Sequence, residues 1–228
     1  MTPPIPDWIR TYTLDGYTSI YQLCPDESRV FGTEDLYGDW NGRILLMAKD
    51  FACSRLIHER VAGGDVRPYR HEPSVKANTT LRRYAERCRT GNTPETCGML
   101  YGSALGGLLR DDGEMSGTLP NRKEAMAFGA RIVGFTIEHM PNLEAIVCLG
   151  EEAWRCTSSA TGHRMRWRDA RESGEAVCVG GLRLHASYHP AARVRREVME
   201  SLWNKVNGEG GSQLSVVNQA TAGKDIDC

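Results

Sequence analysis

The sequence has no run of about 18 apolar residues, the length that a membrane-crossing helix needs. It has no basic-then-apolar leader either, because it opens polar and proline-rich as MTPPIPDW. A cytoplasmic protein without membrane contact is expected. There is no excess of one charge: 28 Lys+Arg against 29 Asp+Glu leave a net of -1, so no global positive field advertises a nucleic-acid partner. The eight cysteines (Cys24, Cys53, Cys88, Cys97, Cys148, Cys156, Cys178 and Cys228) include no CxxC pair and no His/Cys spacing of a zinc site. Reduced thiols, no metal and no cofactor are expected. Internal repeats and low-complexity linkers are also missing, so the 228 residues predict one domain over 1–207 and a flexible tail over 208–228. Nothing points to an obligate protein partner, and a monomer is expected.

What is present is uneven. The basic side chains are mostly arginine and they cluster, with Arg164, Arg166, Arg168 and Arg171 in one stretch and Arg193, Arg195 and Arg196 in another. The planar guanidinium fork suits phosphate, so these patches fit DNA or RNA on a neutral protein; a solvated, salt-bridged surface is the other reading. Four apolar runs read as buried strands: Ile44 to Ala48, Met99 to Tyr101, Ala145 to Leu149 and Leu182 to Tyr188. Helical patterns separate them. After Pro120, Ala125, Phe128, Ile132 and Phe135 form one row and Val133, Ile137 and Met140 the next. Asn78 to Arg87 and Glu151 to Ser158 are shorter helices. Val194, Val198, Leu202 and Val206, with Met199 and Trp203, make a final amphipathic one. The first 35 residues read as a helix and a loop capping the domain. Alternating strands and helices predict a single three-layer α/β domain, a central four-stranded mostly parallel sheet flanked by helices.

Ligands of open α/β sheets bind beyond the carboxyl ends of the strands. The residues there are polar: Lys49 and Asp50 after the first run, Gly102-Ser103-Ala104 after the second, Gly150-Glu151 after the third and His189-Pro190 after the last. A carboxylate and an imidazole on one rim suit general acid–base or electrostatic catalysis. The plainer reading has Asp50 capping a helix that begins near Ser54 and His189 bonding its own turn. Cys53, close to Asp50, reads as an inert small hydrophobe.

The segments GRILLMAKDFACS, CLGEEAW and ASYHPAARVRR, in this order and spacing, resemble those of the uracil-DNA glycosylase superfamily over roughly residues 38 to 205. The resemblance implies a monofunctional glycosylase that flips a base out of single- or double-stranded DNA and hydrolyses its bond to the sugar. It implies that Asp50 activates water and stabilises the sugar cation, and that His189 donates to the leaving base. Backbone amides from Lys49 to Phe51 would cradle the base, with the Lys49 side chain on phosphate or sugar. The fragment VRPY, followed by Asn78-Thr79-Thr80-Leu81, looks like the stretch that carries a base-stacking aromatic, which makes Tyr69 the stacking ring and puts Asn78 beside the substrate. Residues 190–194 would enter the minor groove, with Arg193 or Val194 as the wedge, and Arg195 and Arg196 would hold phosphates.

The chain departs from the family pattern in two places. AKDFA keeps an Asp and loses a Pro, and Ser103 stands where many relatives carry a base-reading Asn. A single hydroxyl and small neighbours leave room for a larger base, and the resemblance then implies a deaminated or enlarged one, such as a bulky modified cytosine in defence against phage DNA, with base-excision repair as the other role. No iron–sulfur cluster is implied without a CxxC pair. Three other readings remain: a catalytically silent DNA-binding module of this fold, a metal-dependent hydrolase built from Asp50, His58, His71 and His189, and a Rossmann domain on the Gly102–Gly107 run, which is not GxGxxG.

Overall fold

The computed structural model describes residues 2–113 and 117–208. Among the described residues there are seven strands in chain order: β1 (Tyr17–Ser19), β2 (Ile44–Ala48), β3 (Met99–Ser103), β4 (Leu108–Arg110), β5 (Ala145–Leu149), β6 (Val177–Val179) and β7 (Leu182–Ser187). Eight α-helices accompany them: α1 (Asp7–Arg10), α2 (Ile20–Leu23), α3 (Ser54–Ala62), α4 (Lys76–Ala85), α5 (Arg122–Glu138), α6 (Glu151–Thr161), α7 (Trp167–Ser173) and α8 (Arg196–Asn207).

The main sheet runs β3-β2-β5-β7-β6. The four expected strands are all there and pair in parallel. The sheet is nonetheless five-stranded, because β6 adds an antiparallel edge to β7. It is only three residues long, VCV, half-buried at its two valines and exposed at Cys178, so its apolar run is too short to stand out in the sequence. Gly180 and Gly181 join β6 to β7 at φ 56 and 87, the left-handed conformation that a tight two-residue hairpin requires.

Strand alternation sends side chains to two cores. Leu45, Met47, Ile146 and Cys148 face one, built with Phe128, Ile132 and Val133 of α5 and Trp154 of α6. Ile44, Leu46, Ala48, Val147 and Leu149 face the other, built with Leu81 and Tyr84 of α4 and Met199, Trp203 and Val206 of α8. Each buried aliphatic side chain contributes about 1.5–3 kcal/mol, so both faces must stay covered. The outcome is the expected three-layer α/β domain, helices on both faces of a mostly parallel sheet.

The first 35 residues do more than cap. β1 pairs antiparallel with β4, a strand absent from the sequence reading. Tyr12 stacks on Phe128 at 4.1 Å and Trp8 meets it edge-on at 6.0 Å, so this segment covers the outer face of α5. The final helix starts at Arg196, later than expected, and Val194 precedes it, leaning on the second core. Gly208 closes α8 at φ 82, and the rest of the expected tail, 209–228, lies outside the described residues.

Candidate active site

The rim at the carboxyl ends of β2, β3, β5 and β7 is assembled by the sheet register, which sets Ala48 opposite Ser103 and Leu149 opposite Ser187. Beyond β2, the Lys49 carbonyl accepts hydrogen bonds from Leu105 N at 3.1 Å and Ser103 Oγ at 3.3 Å. The turn bearing Asp50 is therefore pinned by the neighbouring strand. Beyond β5, Gly150 takes φ 112, and its N–H meets the carbonyls of Cys148 and Ser187, each at 3.1 Å.

Asp50 lies at the bottom of the site. Its side chain is 10% exposed, and Lys49 Nζ stands 3.1 Å from Oδ2. That oxygen accepts no well-angled hydrogen bond among the described residues, so Lys49 acts on it chiefly as a charge. Burial pushes the carboxyl above its ordinary pKa, Lys49 and Arg110 oppose that, and Glu152 adds to it. Asp50 does not cap α3: Cys53 holds the N-cap position, with no side-chain cap bond.

His189, beyond β7, is exposed and within electrostatic reach of Lys49. Ala191 N donates to its Nδ1 at 3.2 Å. A ring nitrogen that accepts from an amide carries no proton, so the neutral imidazole has its hydrogen on Nε2. Desolvation and then the Lys49 charge lower its pKa, which favours this neutral form. The bonded turn of the plainer reading is thus real, and it leaves Nε2–H as a donor.

The remaining expected residues divide. Phe51 is buried, meeting Tyr69 edge-on at 4.7 Å and His71 at 5.1 Å. Gly32 makes this possible, since a Cβ there would lie 2.4 Å from the Phe51 ring. Tyr69 is a correction. It is fully buried, with its hydroxyl 3.1 Å from the carbonyls of Val30 and Gly106, so it belongs to the core beneath Phe51 and offers no face to a base. The small residues at the end of β3 and just beyond it are a second correction. Gly102 packs within the sheet, where a Cβ would meet the Phe31 ring at 3.1 Å; Ser103 and Ala104 are buried, so this segment does not widen a pocket.

Asn78 is buried on α4, its Nδ2 donating to Glu72 O at 2.5 Å and its Oδ1 unpartnered among the described residues. Beside it stands His71, which the sequence offered only as a metal ligand. Its ring packs between Phe51 and Tyr101, its Nδ1 is buried without a partner, and burial first of all pulls its pKa down to about 4. The Asn78 side chain acts to raise that value, while Arg60 and His189 act to lower it. His71 is thus within electrostatic reach of His189. No spacing in the sequence marks it.

After His189, Arg193 and Arg195 are exposed and make no ion pair among the described residues. Arg196 is held by Glu200 at 2.8 Å on its own helix, which is the surface-pair reading. Val194, leaning on the second core, is poorly placed to act as a wedge. His58 is exposed on α3, and among the described residues no group of three or more His, Cys, Asp or Glu could hold a metal ion. Cys24, Cys53, Cys97, Cys148, Cys156 and Cys178 are free thiols. Among the described residues, no helix is long and apolar enough to cross a membrane.

No family model and no curated protein matches the chain. The functional reading therefore rests on geometry and on the resemblance of the strand-end segments.

The rim offers a chemical polarity. A buried carboxylate with a fixed cation lies beyond β2, and a neutral imidazole with a committed Nε2–H lies beyond β7. This suits a reaction that builds positive charge at one atom and negative charge on its leaving group.

Proposed function

We propose that this chain is a DNA glycosylase of the uracil-DNA glycosylase type, hydrolysing the bond between a deaminated or modified base and deoxyribose. The observation that carries the reading is the Ala191 N–H to His189 Nδ1 bond, which directs a neutral Nε2–H donor onto the rim that holds Asp50.

In this mechanism the base must leave the stack, at a cost of a few kcal/mol, before the site can reach its bond to the sugar. The C1′–N bond breaks with its electron pair going to the base, and C1′ becomes oxocarbenium-like. Ionised Asp50 stabilises that cation and takes the proton of the water whose oxygen bonds to C1′. His189 Nε2–H stabilises the departing base anion by a hydrogen bond. The products are free base and an abasic site. Lys49, paired with Asp50, acts as an electrostatic partner and not as a Schiff-base nucleophile, so the strand stays intact. With Tyr69 in the core, half-buried His71 is the polar group left to meet a base beside Phe51, its Nδ1 without a partner among the described residues, while Asn78 is as fully buried as Tyr69.

Base release from oligonucleotides carrying uracil, hypoxanthine, xanthine, 5-hydroxymethylcytosine and its glucosylated form tests this reading, scored as alkali-labile sites with Asp50→Asn as control. Release that disappears in the variant supports it and names the base. Silence across the panel with DNA still bound favours the catalytically silent binding module.

A further inference from the structure

A second cavity, of about 570 Å³, opens between α6 and α7, and it is lined by five arginines (Arg155, Arg164, Arg166, Arg168, Arg171) against one carboxylate, Glu151. On a chain whose net charge is -1, this is a concentrated positive field. Two of these arginines are neutralised locally, Arg155 by Glu151 at 2.6 Å and Arg166 by Asp169 at 2.8 Å. Arg164 and Arg168 are exposed and make no ion pair among the described residues. Arg171 is fixed by rings more than by charge: its guanidinium lies 4.5 Å from the centre of Trp167 and 4.9 Å from that of Tyr188, with Glu172 no nearer than 3.7 Å. Such stacking holds a planar fork in place before any ligand arrives.

The wall is built as well as charged. Trp154 Nε1 donates to Met165 O at 2.9 Å and its ring meets His163, which fixes the loop that carries Arg164. Ser158 Oγ donates to Trp154 O at 2.7 Å and so accepts from His163 Nε2 at 2.9 Å, leaving His163 Nδ1 bare. That atom and the Trp167 Nε1–H are buried without partners, and both residues line the cavity. Buried polar atoms of this kind call for a ligand or water. Position adds the last element. Tyr188, which packs on Arg171, immediately precedes His189, and Glu151 opens the helix that follows β5.

We propose that this cavity binds a nucleotide phosphate, and that its source is the DNA strand running on from the catalytic rim. Arg164, Arg168 and Arg171 grip the phosphate and Trp167 Nε1–H supplies a further donor. A volume of this size accommodates one nucleotide. Assigning the strand as the source rests on the glycosylase reading; the phosphate chemistry does not.

The test is binding of a labelled single-stranded oligonucleotide without a target base, followed by anisotropy over a range of salt concentrations. Wild type, Arg164→Ala/Arg168→Ala and Arg164→Lys/Arg168→Lys are compared, with melting temperatures as a folding control. The expected result for the alanine pair is about a tenfold loss of affinity and a salt slope shallower by about 1.4, at about 0.7 per released single-strand contact. The lysine pair restores the slope but not all of the affinity. An unchanged slope and affinity in the alanine pair overturns the proposal. So does titration with a deoxynucleoside monophosphate that depends on these arginines while strand binding does not, which would assign the site to a free nucleotide. Because the readout needs no base release, a silent glycosylase panel with an arginine-dependent slope leaves this inference standing. Base release with no arginine dependence removes it alone.

Discussion

The two halves of the rim are built differently. On the β2/β3 side, Asp50, Phe51, Ser103 and Asn78 are packed under neighbours, and the turn that carries Asp50 and Phe51 is bonded to the adjacent strand. On the β7 side, His189, Arg193 and Arg195 stand in solvent on a short connection to α8, and one backbone bond decides which nitrogen of His189 is protonated. The first half gives a low dielectric, in which a carboxylate acts strongly on a nearby charge but is costly to keep ionised. The second half gives reach, with donors that a polyanionic partner can meet without displacing core side chains. A reaction that separates charge along a bulky polymer needs both.

The sharpest way to break this contrast is Asp50→Asn. Base release is expected to fall by about 10³-fold, in the range set by loss of a positioned acid–base group. The melting temperature should hold or rise, because a neutral amide replaces a carboxylate whose pKa burial has raised. In the wild type, the acid limb of the rate profile should lie above the ordinary aspartate value of 3.8, since activity requires the ionised form. An unchanged rate in the variant would remove Asp50 from the chemistry.

His189→Ala probes the other half, with an expected rate loss of about 10²-fold, as for removal of one oxyanion donor. The side chain is exposed, so stability should move by no more than about 0.5 kcal/mol. A large stability loss would mean that its bond to Ala191 is structural first.

Acid titration probes one buried imidazole in each half, His71 beside Phe51 and His185 on β7. His71 and His185 both have pKa values lowered to about 4 from 6.5, in each case chiefly by burial. The unfolded chain then binds more protons than the folded one between those values, so stability is full above pH 6.5 and is lost as pH falls toward 4. Each group contributes at most about 3 kcal/mol, at 1.36 kcal/mol per pKa unit. Melting temperature against pH measures it, and His185→Leu should flatten the acid slope. An acid slope unchanged in that variant would show that His185 is not held neutral.

A smaller effect is expected for Tyr69→Phe, about 1 kcal/mol of stability from one lost buried hydrogen bond, with base release per folded molecule retained. A selective rate loss without destabilisation would return Tyr69 to the site. Smallest is Arg196→Ala: its Glu200 pair is a surface one on a single helix, and DNA affinity should change less than in Arg195→Ala. Parallel salt titrations of the two variants decide this.

How much could be read from the chain follows from what each feature looks like in one dimension. Apolar runs such as ILLMA and AIVCL are buried on both faces and announce parallel strands, and the strand-end rule then found Asp50 and His189. The edge strand β6 is an apolar run of only three residues, VCV, too short to stand out; its stronger signal was the Gly-Gly pair ahead of LRLHAS. β1 and β4 pair across about 90 residues, a contact that neither local pattern encodes. Tyr69 and His71 sit two residues apart in one loop. One became core and the other a neighbour of the site, because Gly32 lets the Phe51 ring drop between the layers, an approach set by the fold and not by spacing.

The short β6 edge has one more consequence. Three residues offer little free backbone for another chain to pair with, and their middle residue, Cys178, is the one exposed cysteine among the described residues. Cys148 and Cys156 lie deep in the fold, their thiols pushed up to about 12 by burial and so poorly reactive. With Cys228, which lies outside the described residues, replaced by Ser, a maleimide dye would favour Cys178, on the strand that leads through the Gly-Gly turn into β7, and could report arrival of a strand at the rim.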